Sequence, residues 1–160
     1  MMKISLLCSV LVISALAAPA TANDTAAKSQ ILKIETAMAL AQNAEQSVTD
    51  YDPQITVYDM NGNSLIGRAT VRDAFAKAFS GMRDLKVEIL TMTIESSSTI
   101  GFANSTQRAT AMTVSGGHPI DIVFRQTDCL HKVGGKWLVI NQHISVPFDP
   151  TNGRAVFNSH

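Results

Sequence analysis

Apolar residues recur at spacings of three and four early in the chain. Ile31, Ile34, Met38 and Ala41 form one face, and Asn23 or Asp24 can cap it, which predicts a helix from Asn23 to about Ser47. "DYDPQ" (residues 50–54) ends it, because Pro53 disfavours helical backbone at the residue before it. The period then changes to two. "ITVYD" (residues 55–59) reads as a short β-branched strand closed by the Asn61-Gly62 turn signal. A second helix is expected from Thr70 to Phe79, with Val71, Phe75 and Phe79 as its stripe, Thr70 and Asp73 as a capping box, and Gly81 at the exit. Only strands follow, over roughly 84–95, 99–114, 119–133 and 136–148, separated by "SSS", "SGGHP" and "GG". Connections this short imply an antiparallel meander, and the whole order predicts one α+β domain with helices on one face of a curved sheet.

The last strand is unusually polar. "GGKWLVINQHISVPFD" carries Asn141, His143 and Ser145 two apart, so all three point to one face. With Gly134-Gly135 as a two-residue hairpin loop, Val133 pairs with Lys136. Continued without interruption, that register sets Asp128 opposite Asn141, Gln126 opposite His143 and Phe124 opposite Ser145. Such a cluster faces water, a subunit interface or a ligand cavity. His143 beside a carboxylate is an arrangement in which a base is oriented and its imidazolium stabilised.

The first residues change the compartment. "MMKISLLCSVLVISALAAPATA" has one Lys, an apolar run from Ile4 to Ala18 and an A-x-A pattern at Ala20 and Ala22, so residues 1–22 read as a signal peptide and 23–160 as the mature domain. The run is short for a membrane span, and Cys8 is misplaced for lipidation. The expectation is an exported protein, bacterial and periplasmic, with no membrane association after cleavage. Without Lys3 the mature chain has 12 Lys+Arg against 13 Asp+Glu and no basic block, which argues against nucleic acid as a partner. Cys129 is then alone and cannot close an internal disulfide; a buried inert thiol is favoured over a nucleophile. The scatter of His118, His131, His143 and His160, without paired ligand spacing, points to no metal, and no phosphate loop or nucleophile elbow is present.

Three segments carry a family resemblance: "YDPQITVYDMNG", "IGRATVRDAFAKAF" and "RQTDCLHKVGGKWLVINQHISVPFDPTNGRA". Together with the element order, they resemble the cone-shaped NTF2-like superfamily in its SnoaL-like and ketosteroid-isomerase-like branch, over about residues 28–155. The resemblance implies N-terminal helices packed on a strongly curved, mostly antiparallel sheet, a pocket between them, dimerisation through the sheet and no cofactor. It places Asp59 where the isomerases carry their proton-moving carboxylate and Asp128 where they carry a protonated oxyanion donor. Tyr51 matches a pocket-supporting aromatic residue and Phe75 a pocket aromatic without a hydroxyl. The first helix holds no Tyr, so the isomerases' principal oxyanion donor is missing.

Each candidate also has a structural reading. Asp59 precedes a turn that Asp favours for its own hydrogen bonds. Asp128 can be a structural carboxylate bonded to Asn141 or a sheet Arg. Arg108 and Arg125, mid-strand, can pair with Asp121 or Asp128, or receive an anionic ligand. Two functions remain. One is a binding module for a small apolar or partly anionic molecule. The other is a cofactor-independent isomerase or lyase, with Asp59 or His143 as base, Asp128 orienting or donating, and Tyr51, Phe75, Arg108, Gln126, Asn141 and Ser145 around the substrate.

Overall fold

The structure is a computed structural model and describes residues 22–157, with side chains from Asp24 onward. The proposed leader and its cleavage site, and His160, lie outside the described residues except for Ala22. Helix α1 spans Ala22–Ala39 and a single turn, α2, Ala44–Ser47. The strands and the third helix follow as β1 (Tyr51–Tyr58), β2 (Ser64–Ile66), α3 (Arg68–Ser80), β3 (Met82–Ser96), β4 (Ile100–Thr113), β5 (Pro119–Val133) and β6 (Lys136–Ser145). A small hairpin, β7 (Phe148–Asp149) with β8 (Arg154–Ala155), closes the described chain.

The α+β expectation holds, and several boundaries move for identifiable reasons. The first helix is two pieces, because Asn43 takes an extended conformation and its Oδ1 accepts from Gln46 N at 3.0 Å, capping a new helix. Pro53 sits inside β1 rather than before it, where the pairing with β6 shifts between Tyr51 and Thr56; proline is tolerated at such an irregularity because no ladder bond is required of it. Asp59 falls just beyond the strand. Helix α3 starts two residues before the expected Thr70, with Gly67 as N-cap, so Thr70 and Asp73 are interior residues and not a capping box.

The six-stranded sheet runs β2-β1-β6-β5-β4-β3, antiparallel except where β1 lies parallel to β6. Irregularities interrupt the β3–β4, β1–β6 and β5–β6 ladders. Each adds local twist, and together they curve the sheet around its helices. Gly134 and Gly135 both have positive φ, as the two-residue turn requires.

Ile31, Ile55, Val57, Val71, Leu130 and Val139 are fully buried in the concave core. Each contributes about 1.5–3 kcal/mol of burial free energy. Helix α1 lies across the concave face; Lys28 Nζ meets Glu95 Oε2 of β3 at 2.6 Å, and Ile31 seats over Gly101 of β4. A Cβ at Gly101 would come within 2.5 Å of Ile31 Cδ1, so any larger residue there would force that buried side-chain tip to shift. That seating decides where the next turn of α1, bearing Glu35, meets the sheet.

Candidate functional site

From Val133 to Leu130, β5 pairs with β6 as the glycine turn dictates, ending with Leu130 opposite Val139. There β6 carries one extra residue, Ile140. Beyond it Cys129 faces Asn141, Asp128 faces Gln142, Thr127 faces His143, Gln126 faces Ile144 and Arg125 faces Ser145. An extra residue exchanges the faces of everything after it. The uninterrupted register expected from the turn is therefore wrong past Leu130. Asn141, His143 and Ser145 join Cys129, Thr127 and Arg125 on the convex face, while Gln142 and Ile144 turn into the concavity with Asp128 and Gln126.

The remaining candidates fall in different places. Tyr51 is buried and donates its hydroxyl to Gln142 Oε1 at 2.9 Å. Phe75 projects from α3 into the cavity wall. Arg108 is on the convex face, bonded through two nitrogens to Asp121 at 2.8 and 2.6 Å, so its charge is already met. His143 is exposed and packs edge-on against Tyr58, ring centroids 6.1 Å apart. Asp59 is the cap of the β1–β2 turn, accepting from Asn61 N, Asn63 N and Asn63 Nδ2 at 2.8–2.9 Å. Partial burial pushes its pKa up, but these bonds outweigh it and hold the carboxyl below its usual range. A carboxylate so saturated is a weak base.

Between α3 and the sheet opens a cavity of about 1040 Å³, walled largely by Leu65, Phe75, Met82, Val87, Ile122 and Phe124, with Asp59, Asp73 and Lys77 on its lining. A smaller chamber of about 110 Å³ shares Phe75, Val87, Phe124 and Ile144 with it and reaches Tyr51, Gln107, Gln126 and Gln142. A groove of about 500 Å³ between α2 and α3 meets the large cavity only at Ala69; its Arg72 is paired to Glu45 and Asp73.

Behind the chamber's polar end lies a group not anticipated from the sequence. Glu35 of α1 is 1% exposed and interacts with Asp128 of β5, which is 0% exposed. Gln126 Nε2 donates to Asp128 Oδ2 at 2.6 Å, and the Gln142 amide also supports Asp128. With both groups ionised, both Glu35 oxygens and Asp128 Oδ1 would be buried without a donor. One proton held between the carboxyls gives Asp128 Oδ1 a donor and leaves a single Glu35 oxygen unmet. Burial first, then the Asp128 charge and the hydrogen bond to it, push Glu35 up to about 9. Burial also raises Asp128, against the donors that favour its charged form. Glu35 therefore holds the proton and donates to Asp128. The Tyr51 hydroxyl, buried beside Asp128, is raised well above its ordinary value.

Glu35 had a signal in the sequence: it lies four after Ile31 and three before Met38, an acid inside an apolar stripe. Gln107 on β4 had a weaker one, in the alternation Ala103, Ser105, Gln107, Ala109. Among the described residues no three His, Cys, Asp or Glu side chains converge to hold a metal ion.

The model of the SnoaL-like domain family matches residues 30–149. No curated protein matches the chain. Among solved structures, an NTF2-like protein of unknown function from Pseudomonas putida KT2440 superposes with a TM-score of 0.75 at 20% identity, covering 85% of this chain and 97% of that one. A ketosteroid isomerase-like protein from Erwinia carotovora atroseptica SCRI1043 gives 0.65 at 15% identity, covering 74% and 94%. A provisionally assigned scytalone dehydratase from Novosphingobium aromaticivorans DSM 12444 gives 0.68 at 13% identity, covering 75% and 83%. At these identities the likeness establishes the NTF2-like fold and carries no reaction.

Proposed function

The chain belongs to the SnoaL-like domain family, and on that premise we propose that it is an exported binding protein for a small, largely apolar molecule held between α3 and the concave sheet. The observation that carries this reading is an apolar cavity whose walls continue into a chamber ending on polar side chains. Concave, mostly apolar sites with a few placed polar groups are the usual form of small-molecule sites. An anionic substituent on such a ligand would sit beside Lys77 in the larger cavity, since no cation lines the chamber. The export reading rests on residues 1–22, and a homodimer through the convex face accounts for exposed Tyr58 and Phe102 there.

A second reading is a cofactor-independent isomerase or lyase, of dehydratase or cyclase type. Glu35 favours it, as a carboxylic acid that keeps its proton near neutrality. Binding stands first for three reasons. Neither Glu35 nor Asp128 lines the chamber, Asp59 is saturated, and His143 lies on the convex face.

Native mass spectrometry of the protein purified from its exported fraction tests the reading. A dimer with a reproducible added mass is expected, and the released molecule can then be incubated with fresh protein to look for turnover. Conversion of that molecule would replace the binding reading by the enzymatic one. Protein that never reaches the exported fraction would remove the export part.

A further inference from the structure

The polar end of the chamber has a direction. Gln126 is 8% exposed and Gln107 3%, and both line the chamber. The Gln126 nitrogen is committed to Asp128 at 2.6 Å. That orientation follows from chemistry, because the facing Asp128 oxygen can only accept. The Gln107 nitrogen is turned to Ser105 Oγ at 2.9 Å. Among the described residues, Oε1 of neither side chain accepts a hydrogen bond, whereas both nitrogens are engaged. Ser47, also on the lining, gives its hydroxyl proton to Asn43 O at 3.1 Å, and Tyr51 gives its own to Gln142. The Gln126 and Gln107 oxygens are thus left for the chamber, while the nitrogens of the same two side chains and the Ser47 and Tyr51 hydroxyl protons are committed to the protein.

Resting on the binding role above, we propose that this chamber selects the hydrogen-bond-donating end of a neutral ligand, a phenol or alcohol whose O–H is received by the Gln126 and Gln107 carbonyl oxygens. An ether, ketone or carboxylate at the same end brings further lone pairs to buried acceptors. A site built to pair with a hydroxyl discriminates strongly against an analogue lacking it, since its own polar groups are then left unmet. Asp128 is the positioning residue: as an obligate acceptor it fixes which end of Gln126 the ligand meets. Glu35, by holding the proton of the pair, keeps Asp128 in that role.

The test compares four probes on the purified wild-type protein by calorimetry at neutral pH: 2-naphthol, 2-methoxynaphthalene, 2-acetylnaphthalene and 2-naphthoate. The naphthol is expected to bind at least about tenfold tighter than its methyl ether or the ketone, while naphthoate, drawn to Lys77 in the larger cavity, should bind independently of Gln126. In Asp128→Asn the new amide supplies a nitrogen toward Gln126 and lets it turn over, so the preference for naphthol over the ketone falls to parity or inverts. Gln126→Met, which keeps the shape and removes both amide ends, lowers the same ratio without favouring the ketone. Ketone or ether bound as well as naphthol by wild type overturns the inference and leaves the binding role standing. An unchanged ratio in Asp128→Asn also overturns it. No binding of any probe at millimolar concentration overturns the pocket reading, and the inference falls with it.

Discussion

Glu35 of α1 and Asp128 of β5 meet carboxyl to carboxyl in the interior, both essentially without exposure, and share one proton. Two ionised carboxylates there would leave three oxygens without donors. Glu35→Gln keeps a donor toward Asp128 and should change stability by no more than about 1 kcal/mol. Glu35→Ala leaves the buried Asp128 short of a partner and opens a void, and should cost about 3 kcal/mol. Urea unfolding of both variants near pH 6 checks the contrast. Equal losses would mean that the proton between the two residues contributes nothing.

The same pair sets a pH dependence. Glu35 titrates at about 9 in the folded protein against an ordinary 4.5, so between these values the folded state holds a proton that the unfolded chain has released. Its stabilising contribution is complete below about 4.5 and is lost as pH rises toward 9. Asp128 is also raised and acts in the same direction. Asp59, Asp121 and Asp149 are lowered, and their contributions are lost only at acid pH, below this window. Stability should therefore fall between pH 5 and 9, by up to about 1.4 kcal/mol per pH unit for each proton involved. Glu35→Gln should flatten the profile, and urea midpoints across that range would show it. A flat wild-type profile would place the proton elsewhere.

The positions that follow the irregularities explain what was legible in the sequence. Periodicity found α3 and the four long strands, and the glycine pair found the β5–β6 turn, because those signals are local. Ile140 is indistinguishable from any other β-strand isoleucine, yet its extra place in the ladder moved His143 to the convex face and brought Gln142 inward. Asp128 and Gln126 stayed on the inner face because β5 keeps its alternation. Glu35 could be read as an acid in an apolar stripe, but its partner lies 93 positions away (128 less 35), across a tertiary contact that no local pattern encodes.

Tyr51 connects the first strand to the chamber by a bond that can be removed cleanly. Tyr51→Phe keeps the buried ring and deletes the donor to Gln142 Oε1. The unmet oxygen should cost about 1–3 kcal/mol. The same change frees Gln142 to rotate, so affinity for 2-naphthol should fall alongside stability. Thermal unfolding and calorimetry on one preparation give both. A stability loss with unaltered affinity would confine Tyr51 to the core.

Gly101 of β4 lies directly beneath the Ile31 side chain of α1. Gly101→Ala drives a methyl group toward Ile31 Cδ1, and with Ile31 fully buried the strain should cost about 1–3 kcal/mol. Ile31→Val removes the atom that is struck. The double variant should then be more stable than the sum of the single losses implies, a coupling of about 0.5 kcal/mol or more. Additive losses in denaturant unfolding would show that the helix relaxes away from β4 without cost.

Tyr58 and His143 pack edge-on across the parallel β1–β6 pair, on the face away from the chamber. That placement separates assembly from binding. If this face meets a second copy, Tyr58→Ala with His143→Ala removes a large part of the aromatic surface and should weaken the dimer about tenfold or more. The chamber side chains are untouched, so affinity for 2-naphthol should stay within about twofold. Sedimentation equilibrium and calorimetry on the double variant decide between the roles. Lost ligand affinity in an intact dimer would return His143 to the binding site. A wild-type monomer would leave the Tyr58–His143 contact as a local feature of the strand pair, with no assembly role.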